Sequence, residues 1–248
     1  MKPTVIILSL EDAVARRAPL ISAFQAHGVP YEIWHAIDGR NGLPPEHESL
    51  IDRPAARHNL GRDMGNAEFA CALSHHFIYR DILKRGLEMA VILEDDAIVD
   101  GEFFTFLNMV QKPACDLLLL HHHNALVRRT GRLRLENGNV AYRCISTPTM
   151  ANGYIITQEG AQKLANRSLP IAAPADWPID IAKMLTYAVE PRLVDHPPME
   201  SAPSDIRHER HQLGQLVAQP RQRPSSKRFL RLSYWHNAFQ KRLGKRVS

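Results

Sequence analysis

Met89-Ala90-Val91-Ile92-Leu93 followed by Glu94-Asp95-Asp96-Ala97 is the stretch that decides how this 248-residue chain is read. The apolar part is short and bounded by polar residues, as a buried strand is. It stops in three consecutive acids. In open α/β sheets, ligands bind beyond the carboxyl ends of the strands. Carboxylates crowded at such a place repel one another and call for a cation. Mg²⁺ and Mn²⁺ favour carboxylate oxygens and share them with phosphates. Asp96 is the expected direct metal ligand. Glu94 and Asp95 are expected behind it or on a ribose, and strand alternation puts Glu94 and Asp96 on one face and Asp95 on the other. The competing reading is an acidic turn that caps a helix starting near Gly101.

The flanking sequence alternates strands and helices. Residues 3–10 (PTVIILSL) read as a buried strand, and Val14 to His27 has helical spacing closed by Gly28. Residues 31–37 (YEIWHAI) form a second strand, followed by a loop-rich segment from Asn41 to Gly65. Ala67 to Arg85 is helical and stops at Gly86, and Phe103 to Val110 is helical again. Residues 116–120 (DLLLL) read as a strand, and Asn124 to Ser146 as hairpin material around Gly131 and Asn137-Gly138. Gly153 to Thr157 is a strand, Gln158 to Asn166 a short helix, Asp180 to Tyr187 a helix, and Val189 to Val194 the last strand. This order implies an open, mostly parallel sheet with helices on both faces.

Composition is ordinary for a folded domain, 44% hydrophobic and 23% charged. No apolar run approaches the roughly 20 residues of a membrane span, and no export signal is read, so the expected location is the cytoplasm. Cys71, Cys115 and Cys144 are odd in number and widely spaced, which argues against a disulfide framework or a zinc site, and buried or semi-buried free thiols are expected. The formal charge of +5 is uneven. From Arg207 onward eleven Lys or Arg face one acid, a net of +10, so the preceding 206 residues sum to −5. The expected division is therefore a catalytic domain over 1–206 and a basic tail over 207–248. Within the tail, Phe229, Leu232, Trp235, Phe239 and Leu243 share a stripe of a helix from Ser225 to Leu243. A basic amphipathic helix suits an anionic membrane surface, which would make the protein peripheral on the inner face of the membrane. No nucleic-acid reader motif accompanies the charge, so no nucleic-acid partner is expected.

The ordered set of motifs resembles glycosyltransferase family 25, the lipopolysaccharide and lipo-oligosaccharide galactosyltransferase group, over roughly Val5 to Ile206. It comprises Ile7-Leu8-Ser9-Leu10 with Arg16-Arg17, then Ala36-Ile37-Asp38-Gly39. Gly65 to Glu68 follows, running into Phe69-Ala70-Cys71-Ala72-Leu73-Ser74-His75. ILEDDA comes next, and then Tyr154-Ile155-Ile156-Thr157 with Gly160-Ala161 and Leu164. The spacing of Gly65 and Glu68 and the run Met150-Ala151-Asn152-Gly153 depart from the family pattern. The resemblance implies a GT-A-like fold, a UDP-sugar donor (most often UDP-galactose), Mn²⁺ or Mg²⁺, and inversion at the anomeric carbon. It makes ILEDDA similar to the DXD motif.

On this resemblance, Leu8, Ser9 and Leu10 end the strand where a uridine lies, and Arg17 reaches a phosphate or holds the loop. Asp38, beside Gly39, accepts from base or ribose, or merely makes an Asp-Gly turn. Glu68 and His75 share one helix face and, with Ser74, line a donor pocket, or else His75 is a core histidine bonded to Glu68. His121-His122-His123 are read as sugar-contacting or structural before metal-binding. Asp176 is the first candidate for the base that removes the acceptor hydroxyl proton, with Trp177 beside it to stack on a sugar; Asp180 is the second. Helix capping competes for Asp176. His196 is a late metal ligand by family habit, and Ser204-Asp205-Ile206 closes over the donor. The leading function is an inverting glycosyltransferase acting on a saccharide acceptor, expected to be lipid-linked. The alternatives are a metal-dependent phosphohydrolase and a non-catalytic nucleotide- or carbohydrate-binding protein.

Overall fold

The structure, a computed structural model, describes residues 2–198, 205–213 and 242–247. Eight strands form one sheet: β1 (Thr4–Ser9), β2 (Glu32–His35), β3 (Met89–Glu94), β4 (Leu117–Leu119), β6 (Leu133–Arg134), β7 (Val140–Arg143), β8 (Gly153–Thr157) and β9 (Thr186–Glu190). Their order is β2-β1-β3-β8-β4-β9-β7-β6. Six strands point one way, while β8 and β7 run against their neighbours. β5 (Ala125–Val127) pairs separately with β10 (Lys245–Val247). The helices are α1 (Val14–Ala26), α2 (Arg53–Leu60), α3 (Asn66–Arg85), α4 (Gly101–Met109), α5 (Gln158–Ser168) and α6 (Asp205–Gln212).

Strand alternation builds three layers. Ile6, Leu8, Ala90, Ile92, Tyr154 and Ile156 face one side and pack with Ile78, Tyr79 and Ile82 of α3 and Ala161 and Leu164 of α5. Val5, Ile7, Val91, Leu93 and Ile155 face the other and meet Leu20 and Phe24 of α1 and the phenylalanines of α4. Phe24 packs edge-on to Phe103 and Phe104, with centroids at 6.0 and 5.1 Å. Such fully buried rings each contribute roughly 1.5–3 kcal/mol. The central strands are apolar on both faces, which is why MAVILE reads as a continuous run. This is the open, mostly parallel sheet with helices on both faces that the sequence leads one to expect.

Two segments differ from the sequence reading. Asn41 to Gly65 is not all loop: a 3₁₀ turn (Pro45–Leu50) is followed by α2, whose Asp52 side chain accepts from Ala55 N–H at 2.8 Å. Pro54 sits in the first turn, where its missing N–H costs nothing, so the prolines that suggested a loop mark a helix start. Asp180 to Tyr187 is not a helix. A single 3₁₀ turn (Ile181–Lys183) leads into β9, several residues earlier than the strand expected from Val189. β9 lies between β4 and β7, and those long-range ladders override the local helical spacing.

Residues on both sides of position 206 rest on the same body. α6 packs against the start of α3, and β10 lies along β5. The amphipathic stretch Ser225 to Leu243 falls outside the described residues except for Arg242 and Leu243, which are exposed. Among the described residues no helix is long and apolar enough to cross a membrane.

Candidate active site

The parallel ends of β1, β2 and β3 open into one cleft of about 860 Å³, continuous with solvent. Leu8, Ser9 and Leu10 come from the end of β1, and Asp38, Gly39 and Arg40 from the loop after β2. Glu94, Asp95 and Asp96 come from the end of β3, Ala67 and Cys71 from α3, and Arg16 from α1. His196 and the start of α6 (Asp205, Ile206, Arg207) complete the lining. The loop after β2 is fastened to α3. Ser74 Oγ accepts from Ile37 N–H at 2.9 Å and donates to Ala70 carbonyl at 2.7 Å.

The three acids do not point together. Asp95 is buried and accepts from Ser9 Oγ at 2.9 Å, while its other oxygen lies 2.7 Å from Arg16 Nε, in ion-pair contact without hydrogen-bond alignment. Burial, with Asp96 and Glu94 adding to it, pushes the Asp95 carboxyl up to about 6 against the opposing pull of Arg16 and Ser9. The Arg16 guanidinium is pushed up by the same three acids even though burial opposes it. The short contact favours an ionised Asp95 held by Arg16. Asp96 accepts from Arg16 Nη2 at 2.9 Å and lies 3.3 Å from His196 Nε2. Burial raises the Asp96 carboxyl, but His196 and Arg16 outweigh it and hold it below its ordinary value, and Asp96 in turn raises His196. A two-way backbone bridge between Ile98 and Asp195, 2.9 Å in each direction, sets His196 beside Asp96. Glu94 turns the other way, with Oε1 3.3 Å from His75 Nε2.

Eleven of the residues chosen from sequence line this cleft: Leu8, Ser9, Leu10, Asp38, Gly39, Glu94, Asp95, Asp96, His196, Asp205 and Ile206. Asp38 is clasped by Arg40, which also reaches Asp12 at 2.9 Å, and this hydrogen bonding holds the Asp38 carboxyl below its usual range. Arg17 lies behind the wall. It is buried and donates to Ser9 Oγ and to the carbonyls of Leu10 and Glu11, so it holds the loop. Ser74 and His75 are buried under the floor, and His75 Nδ1 lies 2.9 Å from the Tyr154 hydroxyl. The pairing of His75 with Glu68 does not form.

Glu68 is buried and takes both Arg62 nitrogens at 2.7 Å, Arg210 at 2.5 Å and Gly65 N–H at 3.2 Å. Burial alone would raise its carboxyl, but Arg62 and Arg210 together hold it below the ordinary value. A depressed carboxylate adds stability above its unfolded pKa, and that stability fades as pH falls through its folded value. Glu68→Gln is expected to lower folding stability at neutral pH by about 2 kcal/mol. That is less than a fully buried pair loses, because both arginines keep solvent contact. Denaturant titrations over the acid range should show the wild-type advantage shrinking as pH falls, whereas equal midpoints at neutral pH would contradict the assignment.

The second half of the chain divides the remaining candidates. Asp176 is solvent-exposed, and its carboxyl accepts from Met150 N–H. Desolvation and then the Glu94 charge raise it above its ordinary value, and it is not among the residues that line the cleft. Trp177, expected to be free to stack on a sugar, is instead buried, with its ring edge-on to Tyr154 at 5.2 Å, because the chain turns at Trp177 with φ 113°. Asp180 caps the 3₁₀ turn and accepts from Thr147 Oγ1 at 2.6 Å. His121 and His122 are buried, His121 on the Asn152 side chain and His122 on the Val189 carbonyl, while His123 is exposed. Burial pushes His121 down to about 4, so it stands neutral beside His196, with ring centroids 6.4 Å apart.

Sequence reasoning missed Arg16, Arg40, Cys71 and Arg207. The paired Arg16-Arg17 was the only signal for the first, and helical geometry alone does not say which of two adjacent arginines turns inward.

Asp96 and His196 could hold a divalent cation together with phosphate ligands. Asp96 Oδ1 is buried with no hydrogen-bond partner among the described residues, and the other oxygen of Asp96 faces His196. One or two carboxylates completed by diphosphate oxygens and water is the usual Mg²⁺ or Mn²⁺ arrangement.

Comparison with known proteins finds relatives of the sequence. The family described as Glycosyltransferase family 25 (LPS biosynthesis protein) matches residues 2–180. The lacto-N-neotetraose biosynthesis glycosyltransferase LgtE of Neisseria meningitidis serogroup B is 28% identical over 180 residues, covering 69% of this chain and 62% of that protein. The inactive glycosyltransferase 25 family member 3 of Mus musculus is 28% identical over 125 residues, covering 47% and 21%. Procollagen galactosyltransferase 2 of Homo sapiens is 22% identical over 187 residues, covering 64% and 27%. The chain thus spans less than two thirds of the length of each of these relatives.

Proposed function

This chain belongs to glycosyltransferase family 25, and from that premise we propose that it transfers galactose from UDP-galactose, with inversion, to a saccharide acceptor of a lipo-oligosaccharide or related glycan. The observation that carries the proposal is the convergence of three parallel strand ends on a cleft holding both acids and arginines.

Asp96, with its unpaired oxygen, and His196 would hold Mn²⁺ or Mg²⁺. When bound, such an ion stabilises negative charge growing on a diphosphate leaving group. Arg16 keeps Asp95 and Asp96 together despite their like charge, so the acidic end of β3 is arranged before any donor arrives. Ser9, held by Asp95 and Arg17, fixes the wall expected to meet the nucleoside. Arg40 supplies a cation at the cleft's rim.

The base for the acceptor hydroxyl is assigned to Asp176. Its raised carboxyl is better matched to taking a proton than an ordinary aspartate, and Glu94 raises it further. Asp180 is committed to capping and to Thr147.

A screen of UDP-galactose, UDP-glucose and UDP-N-acetyl sugars with saccharide acceptors, read by product mass, tests the reading. Transfer with UDP-galactose at least about tenfold faster than with the others is expected, the discrimination of one well-placed hydroxyl contact. Equal turnover of all donors would overturn the galactose assignment. Phosphate release from simple esters without transfer would favour a phosphohydrolase.

A further inference from the structure

We propose a second metal site, for a thiophilic divalent cation such as Zn²⁺, formed by Cys71, His75 and Glu94 on the cleft floor. Among the described residues these three are the group whose ligand atoms, Sγ, imidazole nitrogen and carboxylate oxygen, all lie within 4.8 Å of one another. Asp96 and His196 belong to no such trio.

Cys71 and His75 are four residues apart on α3, so both project from one face of a rigid helix. Glu94 arrives from the end of β3. His75 Nε2 and Glu94 Oε1 are 3.3 Å apart. A tetrahedral zinc ion with ordinary bond lengths spaces its nitrogen and oxygen ligands by about the same distance, roughly 3.3–3.5 Å. The thiol therefore needs to approach by little more than an ångström.

The orientation of His75 agrees with ligation. Its Nδ1 lies 2.9 Å from the Tyr154 hydroxyl, which itself donates to the Tyr79 hydroxyl at 3.2 Å. With that hydroxyl proton committed to Tyr79, the Nδ1–H of His75 donates to Tyr154. The Nε2 lone pair then faces Glu94. A histidine held through one nitrogen while the other meets the metal is the usual support for such a ligand. The ring is buried, so its orientation is set before metal arrives. Cys71 and Glu94 both line the cleft, so water or another ligand entering it could supply a fourth partner. Cys115 and Cys144 are buried and join no such group among the described residues.

The donor set differs from that at Asp96. A thiolate and an imidazole select zinc or cobalt over manganese and magnesium, which prefer oxygen. The inference rests on this geometry and holds whichever sugar is transferred.

Cobalt(II) is the test, because its bond to a thiolate gives a near-ultraviolet charge-transfer band. Titration of the full chain should produce that band, saturating at one cobalt per chain, and Zn²⁺ should abolish it. Cys71→Ser should lose the band while keeping the wild-type melting temperature, and His75→Asn should weaken cobalt binding at least tenfold. Asp96→Asn should keep the band. No band in the wild-type protein, or a band that survives Cys71→Ser, would overturn the site. Because the readout is optical, its failure is distinguishable from failure of the transferase assignment, which is read by product mass.

Discussion

Asp96→Asn is expected to lower sugar transfer by about three orders of magnitude while leaving the fold intact. The substitution keeps the size of the side chain, and Arg16 retains Asp95 as a partner, so no cation is stranded in the wall. What disappears is the negative charge on the oxygen that has no protein partner and on the one that faces His196. Removing a group that stabilises charge only as the leaving group departs typically costs about a hundred- to a thousandfold in turnover. Losing the charge that anchors a cation affects both binding and chemistry. The loss should therefore appear mainly in kcat, and excess Mn²⁺ should restore only a small part of it. Steady-state rates alongside thermal melts check this. A variant within threefold of wild type would remove Asp96 from the site.

Gly39→Ala is expected to have the second-largest effect. A Cβ at Gly39 would sit 2.4 Å from the Asn66 carbonyl oxygen, 2.7 Å from its carbon and 2.8 Å from Ala67 Cα. All three are backbone atoms at the start of α3, so no side chain can swing aside. The Asn66 and Ala67 N–H groups are themselves held by Glu209, at 2.7 and 2.9 Å. The loop after β2 must then lift away from α3, which strains the Ser74 bond to Ile37 and moves Asp38 and Arg40. Overpacking of this kind costs typically 1–3 kcal/mol. Nucleotide affinity should fall at least tenfold, together with a lower melting temperature. A variant that binds nucleotide normally would show that this loop is no part of the donor site.

The pattern at β3 was readable because a buried strand and its acidic stop are local features, and alternation alone separates Ile92 from Leu93 across the sheet. The helices α1, α3, α4 and α5 were equally visible from apolar spacing, and Gly28 and Gly86 marked where α1 and α3 stop. α2 was hidden because Pro54 suits a helix start and a loop alike. β9 was hidden because its identity rests on ladders to Leu117–Leu119 and Val140–Arg143. In the site, the residue types were legible but not their orientations. Nothing local distinguishes Arg16, on the acids, from Arg17, on the loop carbonyls. Glu94 and Asp96 share a strand face by alternation, but the strand ends at Glu94 and a turn follows, so the two carboxylates part company. One finds His75 and Cys71, the other His196, and the bridge that brings His196 there joins residues nearly a hundred positions apart.

Calorimetric titration of UDP into the wild-type chain, with and without Mn²⁺, tests the central claim most directly. Binding that tightens at least tenfold with Mn²⁺ in the wild type, and by no more than twofold in Asp96→Asn, is the predicted result. Equal affinity with and without the ion, or no binding of UDP at all, would contradict it.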